Sequence, residues 1–164
     1  MSSYEGMDEE AIERLRAASF EIPLHKLLGL EFESPPEADG TAVVRMPIRD
    51  EAFGSQGNLH GGAIATMVDV ACALAAARNS GFEPGQNSLV TADMHVRYLA
   101  RPKGAYVRAE ARIVRIGRQL IVVECKVLDD EDRVIAAADF SSMIVPLRNP
   151  LRPEMPADPD SPEM

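Results

Sequence analysis

Asp69 stands where a carboxylate is hardest to accommodate. From Ala63 to Ala77 every side chain is apolar except Thr66 and Asp69. The helix this run predicts is apolar nearly all round and should therefore be buried. A carboxylate near its middle is costly unless it has partners or a water-accessible pocket. The spacing alone leaves two readings open. Asp69 is either structural, bonded to a neighbouring hydroxyl or paired with an Arg across a subunit contact, or it is a reactive group.

Just upstream, His60-Gly61-Gly62 places two residues without side chains where the first helical N–H groups lie free. Those amides and the helix dipole suit a carbonyl oxygen that is gaining negative charge. The same glycines would also serve simply to lead a turn into the helix. Gly62 and Asp69 are seven residues apart, about 10 Å along a helix axis. One reacting carbon cannot sit within about 3 Å of both. If both act on one bond, the amides of one copy must meet the carboxylate of another.

The elements that position these groups follow a simple plan. Residues 8–19 read as a short helix with acids at its positive end, and PLHKLLGL after Pro23 as one more turn. PPEADG at 35–40 is a turn cluster, and TAVVRMPI at 41–48 has strand composition, with Pro47 marking an edge or a strand end. A glycine-rich loop over 49–62 runs into the helix of about 62–78. Four strands then follow between 88 and 145, separated by a Gly-Arg turn and by DDED. In AYVRAEARIVRI, Val107, Ala109, Ala111 and Ile113 alternate with Arg108, Glu110 and Arg112. A helix followed by consecutive strands predicts an α+β fold, an antiparallel sheet wrapped on one helix. The Pro-rich acidic tail, 147–164, is expected to be disordered.

GNLHGGAIATMVDVACALAA resembles the G-x-x-HGG-x(6)-D-x-A signature of the PaaI-like, or phenylacetyl-CoA, branch of hotdog-fold thioesterases. TADMHVRYLARPKG and RIGRQLIVVECKVLDDEDRVIAAADFSSMIV resemble that family's next strand, its Gly-Arg hairpin and its last two strands. The resemblance covers roughly 28–146 and leaves 1–27 as an N-terminal helical extension. It implies a hotdog domain that hydrolyses an acyl-CoA thioester without a cofactor. Asp69 would be general base or nucleophile, and the Gly61 or Gly62 amide would polarise the carbonyl. His60 would brace the loop or bond the substrate, and Thr91 would lie near the attacking water. Relatives carry an Asn on the substrate carbonyl where this chain has Gly54, so Asn58 or Gln56 would have to substitute. The active sites would be shared across a homodimer, or a pair of such dimers. Within the fold, a hydratase or dehydratase is the rival, and a non-catalytic acyl-CoA-binding module is the rival from another class.

The charge pattern fits a nucleotide-bearing substrate. Residues 101–118 hold six basic residues and one acid, in a chain of net charge −9. CoA carries three phosphate groups, and a local positive patch suits them. Arg115 and Arg118 flank Gly117 in a tight turn, and Lys103 belongs to the same run. Arg108 and Arg112 fit a solvated strand face equally well. The acidic balance, with a pI near 4.8, argues against nucleic acid and against an anionic membrane. No CxxC, GxSxG or P-loop occurs, and three scattered histidines, with His25 and His95 read as structural or surface residues, do not suggest a metal site. The N-terminus is acidic rather than signal-like, and no apolar run reaches membrane-spanning length, so the cytoplasm is the expected compartment.

Overall fold

The computed structural model describes residues 9–33 and 40–147. The tail beyond 147 and most of the turn cluster at 35–40 lie outside the described residues. Elements follow in the order α1 (Glu9–Phe20), α2 (Pro23–Leu28), β1 (Glu31–Phe32), β2 (Thr41–Pro47), α3 (Gly61–Asn79), β3 (Asn87–Tyr98), β4 (Tyr106–Ile116), β5 (Ile121–Asp129) and β6 (Val134–Pro146), with a short 3-10 turn at Asp50–Ala52. The strands form one sheet ordered β1-β2-β4-β5-β6-β3. All its pairings are antiparallel. The sheet curls round α3, which touches every strand from β2 to β6. β1, only two residues long, has no counterpart in the sequence reading.

Alternation decides which face of each strand meets the helix. Val107, Ala109 and Ala111 of β4, with Val123, Cys125 and Val127 of β5, are buried. The intervening Glu110, Arg112, Glu124 and Lys126 are exposed. With no Trp in the chain, the layer is filled by small and aliphatic groups. Ala71, Cys72 and Ala75 of α3 pack close to the sheet, and Met46, Met67 and Phe140 fill the remaining space. Truncating a buried group of that size, such as Phe140→Ala, costs about 3–5 kcal/mol.

Two expectations need correcting. By length and composition α3 could cross a membrane, with mean hydropathy 1.3, although 67% of that stretch is buried within the fold. Its apolar circumference is also not buried all round. Gly62, Ala65, Thr66, Asp69 and Ala73 form a stripe that this chain leaves partly open. A sheet curled against one side of a helix cannot reach the other side.

A buried carboxylate ties the strand ends together near the start of α3. Asp129, with no exposed surface, accepts from the backbone N–H of Lys103 at 3.0 Å, of Glu131 at 3.0 Å and of Arg133 at 3.1 Å. It also accepts from the Arg133 guanidinium at 2.7 and 3.1 Å. Burial works against its charge, but Arg133 and those three amides outweigh it and hold the carboxyl well below the usual carboxylate range. Arg133 also donates to the Arg101 carbonyl at 3.1 Å, fixing the connection that leaves β3. Because the folded-state value is depressed, the stabilisation is full above the unfolded value near 3.9 and fades as pH falls below it. Asp129→Asn should therefore lower Tm by several degrees at neutral pH, and the gap should shrink as melts are taken from pH 5 downward. A gap independent of pH would show that the charge is not what stabilises this turn.

Candidate active site

Asp69 lies on the open stripe of α3, half-exposed in the single chain. Thr91 Oγ1 donates to its Oδ1 at 2.8 Å. A β-bulge between Thr91 and Asp93 makes this contact. Thr91 faces buried Ser142, while Met94, Val96 and Tyr98 face Phe140, Ala138 and Ala136. Without the extra residue, side-chain alternation would send Thr91 to the outer face. Among the described residues Oδ2 of Asp69 makes no hydrogen bond. One oxygen is oriented and the other is left for water or substrate. An apolar cavity of about 310 Å³ opens beside the carboxylate.

The helix start is built differently from the simplest expectation. His60 caps α3, its Nδ1 accepting from the Gly62 N–H at 2.8 Å. Of the two amides expected to polarise a carbonyl, the Gly62 amide is thus already engaged, and His60 braces the loop. The Gly61 N–H has no partner among the described residues. Tyr98, to which the sequence reading gave no site role, donates from its hydroxyl to the Gly61 carbonyl at 3.0 Å. Space is tight at both glycines, more so at Gly62. A Cβ at Gly61 would lie 3.3 Å from the Tyr98 ring, and one at Gly62 would lie 2.9 Å from His60 Nδ1. The sequence alternative in which the glycines serve the turn therefore holds beside any role for their amides.

Gly54 opens a tight loop in which its N–H donates to the Asn58 carbonyl at 2.7 Å. A Cβ there would make ordinary contact, 3.5 Å from the His60 ring, so space does not exclude a side chain. Asn58 is half-buried and Gln56 exposed. The Asn58 amide group makes no hydrogen bond among the described residues.

The basic residues do not gather in one chain. Arg115, Gly117 and Arg118 sit at the β4–β5 hairpin, where the Gly117 N–H donates to the Leu120 carbonyl at 2.8 Å. Lys103 precedes β4, its ammonium 3.4 Å from Glu131. The 11 residues of β4 lie between them, roughly 35 Å at strand rise. Arg108 is held by Asp132 and Glu110. No group of three or more metal-ligating side chains occurs among the described residues.

Comparison with known proteins agrees with this architecture. A profile of the thioesterase superfamily matches residues 56–136. A Halobacterium salinarum protein that carries an esterase name is 31% identical over 112 residues, covering 66% of this chain and 72% of that one. The 1,4-dihydroxy-2-naphthoyl-CoA hydrolase of Listeria monocytogenes is 26% identical over 112 residues, 68% of this chain and 87% of its own. Among solved structures, the BH2602 protein of Bacillus halodurans, determined with CoA, matches with a TM-score of 0.68 and 31% identity over 85% of this chain and 91% of that one. The PaaI protein of E. coli matches with a TM-score of 0.70 over 83% of this chain and 94% of its own, and at 20% identity it shows likeness of fold alone. A helix wrapped by an antiparallel sheet defines the hotdog class, and the chain belongs to the thioesterase superfamily of that fold.

The free Gly61 amide can be removed with little other change. Proline is well suited to the first helical position, and His60 at φ −65°, ψ 132° already has the conformation required before it. Gly61→Pro should lower thioester hydrolysis by about 10²–10³, the scale of a lost oxyanion donor. Gly61→Ala adds the same Cβ against Tyr98 but keeps the N–H, and should retain most of the rate. Equal losses in the two variants would assign Gly61 to packing instead.

Proposed function

We propose that this protein hydrolyses an acyl-CoA thioester to a free acid and CoA in the cytoplasm, as a homodimer whose two active sites each draw on both chains. The observation that carries the reading is the Asp69 carboxylate, held by Thr91 at the mouth of an apolar cavity. In the reaction, Asp69 takes a proton as water adds to the thioester carbon, or attacks that carbon itself to give a mixed anhydride that water then hydrolyses. The carbonyl oxygen collects negative charge and is met by the partner's Gly61 amide. The carbon–sulfur bond then breaks, and the sulfur leaves as a thiolate that takes its proton from Asp69 in the first route or from water in the second.

The dimer is supported by the exposed edge of the sheet. β3 runs 12 residues along that edge without a buried residue. A bare edge of that length invites pairing, and the open stripe of α3 lies beside it. Two local contacts set a register. Asp69 is tied to Thr91 and Gly61 to Tyr98. Antiparallel pairing of two β3 strands, with Thr91 opposite the partner's Tyr98, carries the partner's Gly61 to Asp69. The same pairing brings the partner's Lys103 toward the sheet end that carries Arg115, Gly117 and Arg118. One CoA could then meet phosphate ligands from both chains, although a single chain holds them far apart.

Release of free thiol from a panel of acyl-CoAs tests the reaction. Asp69→Asn should fold and associate normally yet lose about 10² or more in kcat, the scale of a lost general base. A variant that hydrolyses at near wild-type rate would make Asp69 structural. Hydration of an enoyl-CoA without thiol release would favour the hydratase reading.

A further inference from the structure

Part of the cavity beside Asp69 is built from residues ahead of the profile match. α3 supplies Asp69 and Ala73, and the segment entering the sheet supplies Phe82 and Leu89. The remaining wall is Ser19, Ile22 and His25 of the α1–α2 segment with Phe32 of β1, all ahead of the profile match that starts at residue 56. We infer that the α1–α2 segment is the specificity element of the enzyme, and that Ile22 limits the length of an apolar acyl chain running from Asp69 under α2. The inference rests on the thioesterase reading and extends it to a substrate class.

Three observations support it. First, the wall is anchored. His25 Nδ1 lies 2.9 Å from the Ser19 carbonyl, which can only accept, so Nδ1 carries a proton there and joins the end of α1 to α2. Leu28, Leu30 and Phe32, just beyond, are buried in the core. Second, Ile22 is 44% exposed although it is a large apolar residue, as suits a rim that awaits an apolar ligand. Third, size is selective. The cavity is finite, about 310 Å³, and its lining is mainly apolar, so a longer acyl chain gains contact until it reaches Ile22. Each methylene that enters should improve kcat/KM roughly fourfold.

Two variants test this. A chain-length series from acetyl- to palmitoyl-CoA should rise to an optimum and then fall in the wild type. Ile22→Trp should move that optimum about two carbons shorter and cut kcat/KM for the wild type's best substrate at least tenfold. An unmoved peak would overturn the assignment. The second measurement needs no hydrolysis. The protein contains no Trp, so Phe82→Trp introduces a single, selectively excited Trp per chain on the opposite wall. Binding of S-octyl-CoA, a thioether that cannot be hydrolysed, should shift its emission to the blue, whereas CoA alone should not. If calorimetry finds S-octyl-CoA bound with no emission shift, or finds no binding, the cavity is not the acyl site. A blue shift in a protein that releases no thiol from any acyl-CoA would uphold the cavity assignment and reject the thioesterase reading.

Discussion

The rise of one helix governs the rest of the molecule. Asp69 and the unengaged Gly61 amide stand eight residues apart on α3, about 12 Å along its axis. Neither can shift toward the other. Tyr98 holds the Gly61 carbonyl, His60 caps the helix, and Thr91 holds the Asp69 oxygen. If the two act at one carbon, as the proposed reaction requires, groups held that far apart can converge only from two copies. The long bare edge of β3 and the open stripe of α3 then cease to be liabilities. In the proposed dimer they are the surfaces through which the two groups converge.

The sheet serves this arrangement through details of register. The bulge after Thr91 turns its hydroxyl toward the helix while leaving Met94, Val96 and Tyr98 on the same face. One strand therefore touches α3 at both candidate positions, Thr91 at the carboxylate and Tyr98 at the helix start. At the far end of β3, the buried Asp129 knot fixes the Arg101–Lys103 connection to the β5–β6 turn. The profile-matched region thus holds the candidate reacting groups, and residues ahead of it wall part of the cavity beside Asp69.

Much of this was legible in the residues, for identifiable reasons. The apolar run with its solitary Asp69 located the central helix, and strict alternation in β4 gave the buried face correctly. Other features depend on contacts between distant segments. Thr91 could be placed on the inner face only by noticing that the apolar phase slips, from Leu89 and Thr91 to Met94, Val96 and Tyr98. Tyr98 reads as an ordinary strand residue until its hydroxyl is seen on the Gly61 carbonyl. That His60 takes the Gly62 amide, leaving the Gly61 amide unengaged, is a matter of rotamer and not of spacing. Lys103 and Arg118 looked like neighbours in one basic run, but a strand between them keeps them apart.

Complementation between two inactive variants tests the central claim most directly. Asp69→Asn lacks the carboxylate, and Gly61→Pro lacks the donor. In a mixed dimer one site combines the intact helix start of the first chain with the intact Asp69 of the second, and the other site carries both lesions. Doubly tagged mixed dimers, purified from co-expression, should recover about half the wild-type rate per dimer while each parent remains near inactive. Mixed dimers that are folded and associated but no more active than their parents would place the whole site within one chain and contradict the account.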